Sequence, residues 1–408
     1  MKVKHVLVHG INFYPEQTGM GKYTAGMVDY MVQHGIACTV LTSYPFHPEW
    51  KVKPPYKNGS YTKEVLHNGL LKVYRCPMYV PANPTGITRI MQETSFILSS
   101  SLILLKLAFR NKFEAFIVIS PPFHLVMVAL AYKFFKKTKV IYHIQDLQID
   151  LANELKLIKS KRIINLMFKI ESYILGKVDV VSTISEGMIK KIKQKRAIKV
   201  VNFPNWVNTK QFFPLENRVS LKPKWNFDTD DFTVLYSGNL GEKQGLELIL
   251  EVAFKFQLQK NIKFIICGNG AYKIRLLEQA TKFGINNVHF IPMQPEEDFN
   301  NFLNIADVHL IIQKQNTADL VMPSKLTTIL AVGGKVIATA NPQTTLYDVI
   351  IDNQLGIVIR PDDVQQLYNA ITAFTQTREI FSERARNYAL TNLSVDVIMA
   401  KFLKDIDL

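Results

Sequence analysis

The sequence predicts an α/β protein built on two doubly wound parallel sheets. Short apolar runs alternate with helical stretches through the first 205 residues, and the same alternation begins again near residue 232, after an interval bearing several prolines. Size agrees, since 408 residues with 48% hydrophobic composition can bury two cores of ordinary domain size.

Taken in order, HVLVHG, ACTVLTS, LKVYRC, AFIVIS, KVIYHI, VDVVSTI and KVVNF read as strands of the first sheet. Several are apolar at successive positions, as strands covered by helices on both faces are. Ala115 to Tyr132 is eighteen residues without a formal charge, but Pro121-Pro122 and His124 divide it. It reads as strand AFIVIS, a turn, and a buried helix FHLVMVALAYKFF. The stretch Asn202 to Asp231, with Pro204, Pro214 and Pro223, is the linker candidate. FTVLYSG, IKFIICG, NVHFIP, DVHLIIQ, KVIATA and GIVIRP form the second set of strands. The last helical stretch, Thr377 to Leu408, is amphipathic and expected to break near Asn392, with Ser394 capping its final piece.

Charge is uneven. Residues 1–210 hold 30 Lys and Arg against 12 Asp and Glu, a net +18, and the remainder holds 19 against 22, a net −3. A basic half of this kind suits an anionic membrane face or a nucleic acid, although a cluster such as Lys190 to Arg196 also suits a solvated helix. The segment Ile87 to Arg110 is apolar with basic flanks, and its uncharged core, Thr94 to Leu105, is too short to span a bilayer. It reads equally as an interfacial helix or as a buried helix of the sheet's outer layer. The start MKVKHVLVHGINF has strand character rather than that of a secretion leader. Cys38, Cys76 and Cys267 lie far apart without metal-ligand spacing, which suits a reduced compartment.

Two runs carry the chemistry. SGNLGEKQGLELILEVAFKF (Ser237 to Phe256) places Gly238, Asn239 and Lys243 between a strand and a helix. DLVMPSKLTTILAVGGKVIATA (Asp319 to Ala340) places Pro323 and Lys325 at another helix start, with Gly333-Gly334 at its end. Free amides and the positive end of a helix favour a phosphate, and a lysine beside them adds a fixed cation. Together the runs read as one diphosphate pocket. In IICGNG, Gly268 and Gly270 would form the wall against which a base lies. In GINFYPEQTGMG, Gly19 and Gly21 allow backbone to approach a ligand. YHIQDLQID sets His143, Gln145 and Asp146 at a strand's carboxyl end, where His143 could bond a sugar hydroxyl, act as a base or satisfy a backbone carbonyl and Asp146 could instead cap or face solvent; SPPFH sets His124 after another, for helix-start packing or substrate contact. Ser185 and Glu186 read as a helix cap and its acidic first turn.

Order and spacing of FYPEQTGMGKYTAGMVDYMVQHGIACTVLTS, YHIQDLQID, STISEGM, NWVNTKQFFP and the two phosphate runs carry a resemblance over almost the whole chain. The chain resembles bacterial family-4-type glycosyltransferases of the GT-B fold, similar to the fucosyl- and N-acetylfucosaminyltransferases of surface polysaccharide assembly. The resemblance implies two Rossmann-like domains facing across a cleft. Residues 1–205 would bind the acceptor and face the membrane, 206–389 would bind the nucleotide sugar, and 390–408 would cross back to the first domain. It implies transfer of a deoxy or N-acetylamino-deoxy hexose from a nucleotide-diphosphate donor, uridine being favoured, to a polyprenyl-diphosphate-linked saccharide. The setting would be the cytoplasmic face of the cell membrane, with an anionic lipid surface as partner, no nucleic acid, no cofactor and no metal. Retention at the anomeric carbon would follow, with the leaving phosphate taking the acceptor proton.

His143, Asp146 and Lys243 are the catalytic candidates. Gly19, Gly21, Gly238, Asn239, Lys243, Gly268 and Gly270 would contact the donor. So would Asp319, Leu320, Val321, Lys325 and Thr328, while Tyr14, His124 and Gln145 would contact the acceptor. Two departures stand out. Asn239 occupies the place of an arginine, and a pair of glutamates seven residues apart is replaced by Thr328 and a position near Leu320, with Asp319 next to it. A nicotinamide oxidoreductase would need a G-x-G-x-x-G turn on the first strand, which GINFYPEQTGMG does not supply. A basic membrane or nucleic-acid adaptor accounts for the +18 half but leaves two phosphate loops unexplained.

Overall fold

Strands that are apolar on both faces need a helix layer on each side, and both halves of the chain meet that need with parallel sheets. The computed structural model describes residues 4–16, 19–47, 49–154, 158, 160–314, 323–376 and 381–408, with the backbone alone described at Arg110, Glu154 and Lys243. It divides into Met1–Pro204 with Ile398–Leu408, and Asn205–Val397.

The first unit runs β1 (His5–His9), α1 (Gly19–Gln33), β2 (Ala37–Ser43), β3 (Thr62–Leu66), β4 (Leu71–Cys76), α2 (Gly86–Arg110) and β5 (Ala115–Ser120). It continues with α3 (Val126–Lys136), β6 (Lys139–Ile144), α4 (Gln148–Glu154), α5 (Lys161–Leu175), β7 (Val180–Thr183), α6 (Glu186–Lys195) and β8 (Val200–Asn202). Its strand order is β3-β4-β2-β1-β5-β6-β7-β8, parallel except for β3 against β4. β5 is buried from end to end, and Phe116 on it meets Tyr132 of α3 edge to face at 5.6 Å. Each such side chain contributes about 1.5–3 kcal/mol by burial. The helix expected after β5 is buried along Val126, Ala129 and Tyr132 but exposes Phe134 and Phe135, at 82% and 77%. Those two phenylalanines lie beyond the stripe that the sheet covers.

α2 settles how the apolar Ile87 to Arg110 segment is used. A capping box between Thr85 and Thr88 starts it. Phe96, Ser100, Ile103, Leu104 and Leu107 are buried, and Ser100 Oγ meets His9 Nε2 at 2.9 Å. The opposite face leaves Ile87, Ile90, Leu98, Leu102, Leu105 and Phe109 exposed. The helix is long and apolar enough to cross a membrane by length and composition, yet a third of its most apolar window is buried in the protein. One face is core and the other is an uncovered apolar stripe.

The second unit runs β9 (Phe232–Ser237), α7 (Glu247–Phe256), β10 (Ile262–Cys267), α8 (Lys273–Lys282), β11 (Val288–Ile291), α9 (Glu296–Asn304) and β12 (Val308–Ile311). There follow α10 (Lys325–Ala331), β13 (Val336–Thr339), α11 (Thr345–Asp352), β14 (Gly356–Ile359), α12 (Val364–Thr375) and α13 (Glu383–Tyr388). The order β11-β10-β9-β12-β13-β14 is parallel throughout. Alternate residues of β9 feed two cores: Val234 and Tyr236 enter one, Leu235 the other.

The interval read as a linker is ordered by charge. Arg218 and Lys222, on a short 3-10 stretch, both pair with Asp307, whose carboxylate also accepts from the Thr233 amide at 2.9 Å. At the other end, a π-helical turn over Ala389–Leu393 interrupts the last helical stretch. Ser394 Oγ then accepts from the Val397 amide at the start of α14 (Val395–Asp405). The end of α14 belongs to the first unit: Phe402 stacks on Phe203 at 3.7 Å, and Lys139 pairs with Asp407 at 2.6 Å.

Candidate functional site

In an open parallel sheet, loops leaving the carboxyl ends of two neighbouring strands diverge where the strand order reverses, and ligands bind there. In the second sheet that point lies between β9 and β12. Both phosphate runs belong to it: Gly238 follows β9, and Lys325 opens the helix after β12.

Lys325 is half-buried as a residue, but its Nζ is sealed from solvent and has no hydrogen-bond partner among the described residues. It sits 3.7 Å from the centre of the Tyr236 ring. A Cβ added to Gly238 would lie 3.3 Å from this nitrogen, so the bare backbone after β9 and the ammonium share one small space. Burial lowers the Lys325 pKa to about 7, and the Tyr236 phenol, pushed up by burial, stays neutral. A cation that meets no carboxylate among the described residues and rests on an aromatic face is arranged to receive an anion.

Gly268 and Gly270 serve that loop more directly than expected. Gly268 adopts φ +149°, and a Cβ there would stand 1.9 Å from the Gly238 carbonyl oxygen; one on Gly270 would stand 2.2 Å from the Leu240 carbonyl. The Leu240 amide donates to Asn269 O at 2.9 Å, and the Tyr272 amide to Leu240 O at 3.0 Å. These glycines press the loop after β10 against the loop after β9. Asn239 is exposed, and its carbonyl accepts from the Tyr236 hydroxyl at 2.9 Å. Thr328 Oγ1 donates to Lys325 O at 3.0 Å within its own helix turn. Lys243 lies on a short 3-10 turn, Glu242–Gln244, with its backbone alone described, and Asp319, Leu320 and Val321 lie outside the described residues.

In the first sheet the order reverses between β1 and β5. Leaving β1, Glu16 is buried and gathers its loop: Oε1 accepts from the Phe46 and His47 amides at 3.0 Å each, and Oε2 from Asn12 Nδ2 at 2.8 Å. A Cβ on Gly21 would come within 2.8 Å of the Glu16 Cβ, so this glycine gives room to Glu16. Gly19, at φ +60°, has open space where a side chain would be. Tyr14 is exposed, and its carbonyl accepts from Arg75 at 2.9 Å.

Leaving β5 and β6, the side chains separate into two groups. His143 does not point into a crevice. Its Nδ1 meets Ser182 Oγ at 3.0 Å, its ring meets Phe203 edge to face at 5.0 Å, and burial lowers its pKa to about 3. The alternation of β6 sends this neutral imidazole into the core, where it is 2% exposed. Gln145 is also buried, and its amide donates to Ser120 O at 3.1 Å, tying the ends of β5 and β6 together. Asp146 is half-buried, with its carboxyl pKa raised by burial to about 6. Ser185 caps α6 by accepting from the Met188 amide at 3.3 Å.

The second group joins His124 to two residues that sequence reasoning missed, Glu93 and Gln148. Gln148 Oε1 accepts from the Phe123 amide at 3.1 Å, and its Nε2 donates to Glu93 Oε1 at 2.9 Å. The other carboxylate oxygen of Glu93 lies 3.9 Å from Nδ1 of the half-buried His124. Three elements therefore converge: α2, the turn after β5, and the start of α4. Glu93 is the single acidic residue between Ile87 and Arg110, a signal masked by the apolar character of that segment.

Comparison with known proteins places these sites in a family. The model of the Glycosyl transferases group 1 family matches residues 217–390, within the second unit. Over 409 aligned residues the chain is 34% identical to Escherichia coli (strain K12) WcaI, provisionally named a colanic acid biosynthesis glycosyl transferase, covering 98% of this chain and 99% of that one. Among solved structures, sucrose-phosphate synthase from Thermosynechococcus elongatus is similar with TM-score 0.77 and 14% identity, covering 99% and 98% of the two chains. Anabaena HepE in complex with UDP is similar with TM-score 0.70 and 12% identity, covering 99% and 100%. Two Rossmann-like units with parallel sheets match the GT-B glycosyltransferase structures, and the chain belongs to the group 1 glycosyltransferase family.

Proposed function

We propose that this glycosyltransferase moves a hexosyl group, of the deoxy or N-acetylamino-deoxy class, from a UDP-linked donor to a lipid-linked saccharide during assembly of a bacterial surface polysaccharide. The observation that carries the donor assignment is the sealed Lys325 ammonium beside Gly238, unpaired among the described residues. WcaI supports the polysaccharide setting by its name, and the UDP held by HepE supports the base. Lys325 and Lys243, with the loop amides near them, stabilise the charge that develops on the departing diphosphate, without a metal. Asp146 orients the sugar, and Tyr14 and His124 meet the acceptor. Retention follows if the leaving phosphate takes the acceptor proton on the face it has just vacated.

The reading places the protein at the inner face of the cell membrane. Its support is the uncovered stripe of α2 together with Phe134 and Phe135, all within the half whose net charge is +18. A thermal-shift panel of UDP-, GDP- and ADP-sugars tests the donor: a ligand bound by the native state raises the melting temperature. Stabilisation by UDP-sugars above the others is expected. Stabilisation by GDP- or ADP-sugars alone overturns the base assignment.

A further inference from the structure

The convergence of α2, the β5 turn and the start of α4 brings Glu93, Gln148 and His124 together. A partly buried carboxylate costs free energy unless a partner compensates it. Here one carboxylate oxygen is satisfied by Gln148 and the other stops 3.9 Å short of His124. That gap is too long for a direct hydrogen bond, yet short enough for a single oxygen to reach both atoms at about 2.8 Å. Both side chains retain some exposure, 13% for Glu93 and 31% for His124, so a ligand can enter. Their place is the carboxyl end of β5, beside the point where the strand order reverses, where open α/β sheets bind ligands.

We propose that Glu93 and His124 form a clamp for one hydroxyl of the acceptor saccharide, the Glu93 carboxylate accepting the hydroxyl proton and the His124 imidazole N–H donating to its oxygen. Gln148 is the positioning residue, because it fixes the carboxylate through one oxygen and the Phe123 amide through its own carbonyl. The assignment rests on the glycosyl-transfer reading and adds a carboxylate to the acceptor site.

Charges around the clamp give it a pH signature. Burial raises the Glu93 pKa to about 7, against the opposing effects of the Gln148 hydrogen bond and of Arg89 on the same helix. Burial lowers that of His124, so the imidazole is neutral near pH 7 and can donate from Nδ1. Asp146 precedes α4, and burial raises its pKa to about 6, so it is mostly ionised at pH 7 and above. Arg89 itself stacks 5.2 Å from the Trp50 ring. An acceptor hydroxyl needs the ionised carboxylate, and that form grows from about a tenth to about nine-tenths between pH 6 and pH 8.

The test uses the full-length protein, four UDP-hexoses as donors, and undecaprenyl-diphosphate-linked glucose and N-acetylglucosamine as acceptor probes, reading UDP release and lipid product. In the wild type the acceptor KM should fall several-fold from pH 6 to pH 8. Glu93→Gln, which keeps the shape and the Gln148 contact, should raise the acceptor KM about tenfold, remove its pH dependence, and leave the donor KM within twofold. His124→Asn should raise the acceptor KM while keeping the pH dependence. An acceptor KM unchanged in Glu93→Gln, a pH dependence that survives it, or a donor KM that rises in step overturns the clamp while leaving glycosyl transfer intact. A wild-type protein that releases no UDP from any donor overturns the glycosyl-transfer reading, and the clamp with it.

Discussion

Removing the Lys325 ammonium should abolish a proton uptake that accompanies nucleotide binding. Without nucleotide, burial lowers the pKa of this amine to about 7, and its Nζ has no hydrogen-bond partner among the described residues. At pH 8 about nine-tenths of the chains therefore carry it neutral, and at pH 7 about half. A diphosphate beside it restores the ordinary preference for the charged form. Binding UDP should then take up about 0.9 proton at pH 8 and about 0.5 at pH 7, and affinity should weaken about fivefold from pH 7 to pH 8. Calorimetry in buffers of different ionisation enthalpy measures the uptake directly. At pH 8 the phosphates of UDP are already ionised and add nothing to it. Lys325→Met should bind UDP without uptake and, at pH 7, about 10- to 100-fold more weakly, the worth of one charge-assisted hydrogen bond. Stability gives an independent reading. The folded pKa lies below the unfolded value near 10.4, so the folded chain holds fewer protons between pH 7 and pH 10, and stability rises with pH across that window. Lys325→Met should flatten the rise and melt higher than the wild type at pH 7. UDP binding without proton uptake in the wild type, or equal uptake in the variant, would refute the reasoning.

Other expectations follow from the same geometry. Lys243→Ala should lower kcat by one to two decades in a chain that keeps its melting temperature, since a charged contact to the leaving diphosphate is worth roughly 1.5–3 kcal/mol; wild-type turnover would remove Lys243 from the site. Leu98, Leu102 and Leu105 changed together to serine should abolish sedimentation with vesicles containing anionic lipid while moving the melting temperature little, because all three are exposed on α2. Leu104 must be left intact, since it is buried and its truncation costs about 2–5 kcal/mol; undiminished vesicle binding would leave the basic residues as the membrane contact. Gly268→Ala should destabilise the second unit and raise the Kd for UDP, because its Cβ would collide with Gly238 O; a variant that melts and binds like the wild type would show that the two loops need not touch.

The fold class was legible because burial on both faces writes itself into runs such as AFIVIS and KVIATA, which became β5 and β13 with every strand residue buried. The break before the last helix was legible for a local reason, Ser394 being a strong cap. The site was harder, because a strand shows its alternation but not which face holds the crevice; His143 faced the core where an active-site orientation was expected. In sequence Gly268 and Gly270 read as a wall for the base, and the structure presses both against the backbone of the loop after β9. Tyr236 beneath Lys325, and Glu93 beside His124, are pairings between residues 89 and 31 positions apart, which local pattern cannot show. The apolar segment Ile87 to Arg110 left core and interface open, and the structure buries one face of it and leaves the other exposed.

The account's central claim is that the second unit holds a UDP-sugar whose sugar passes to a lipid-linked saccharide. Incubating the full-length protein with radiolabelled UDP-hexoses and undecaprenyl-diphosphate-linked saccharides, then separating lipid from water-soluble label, tests it most directly. The account predicts label in the lipid fraction with one UDP released per sugar transferred, lost in Lys325→Met. Release of free sugar without labelled lipid, or transfer undiminished in that variant, would contradict it.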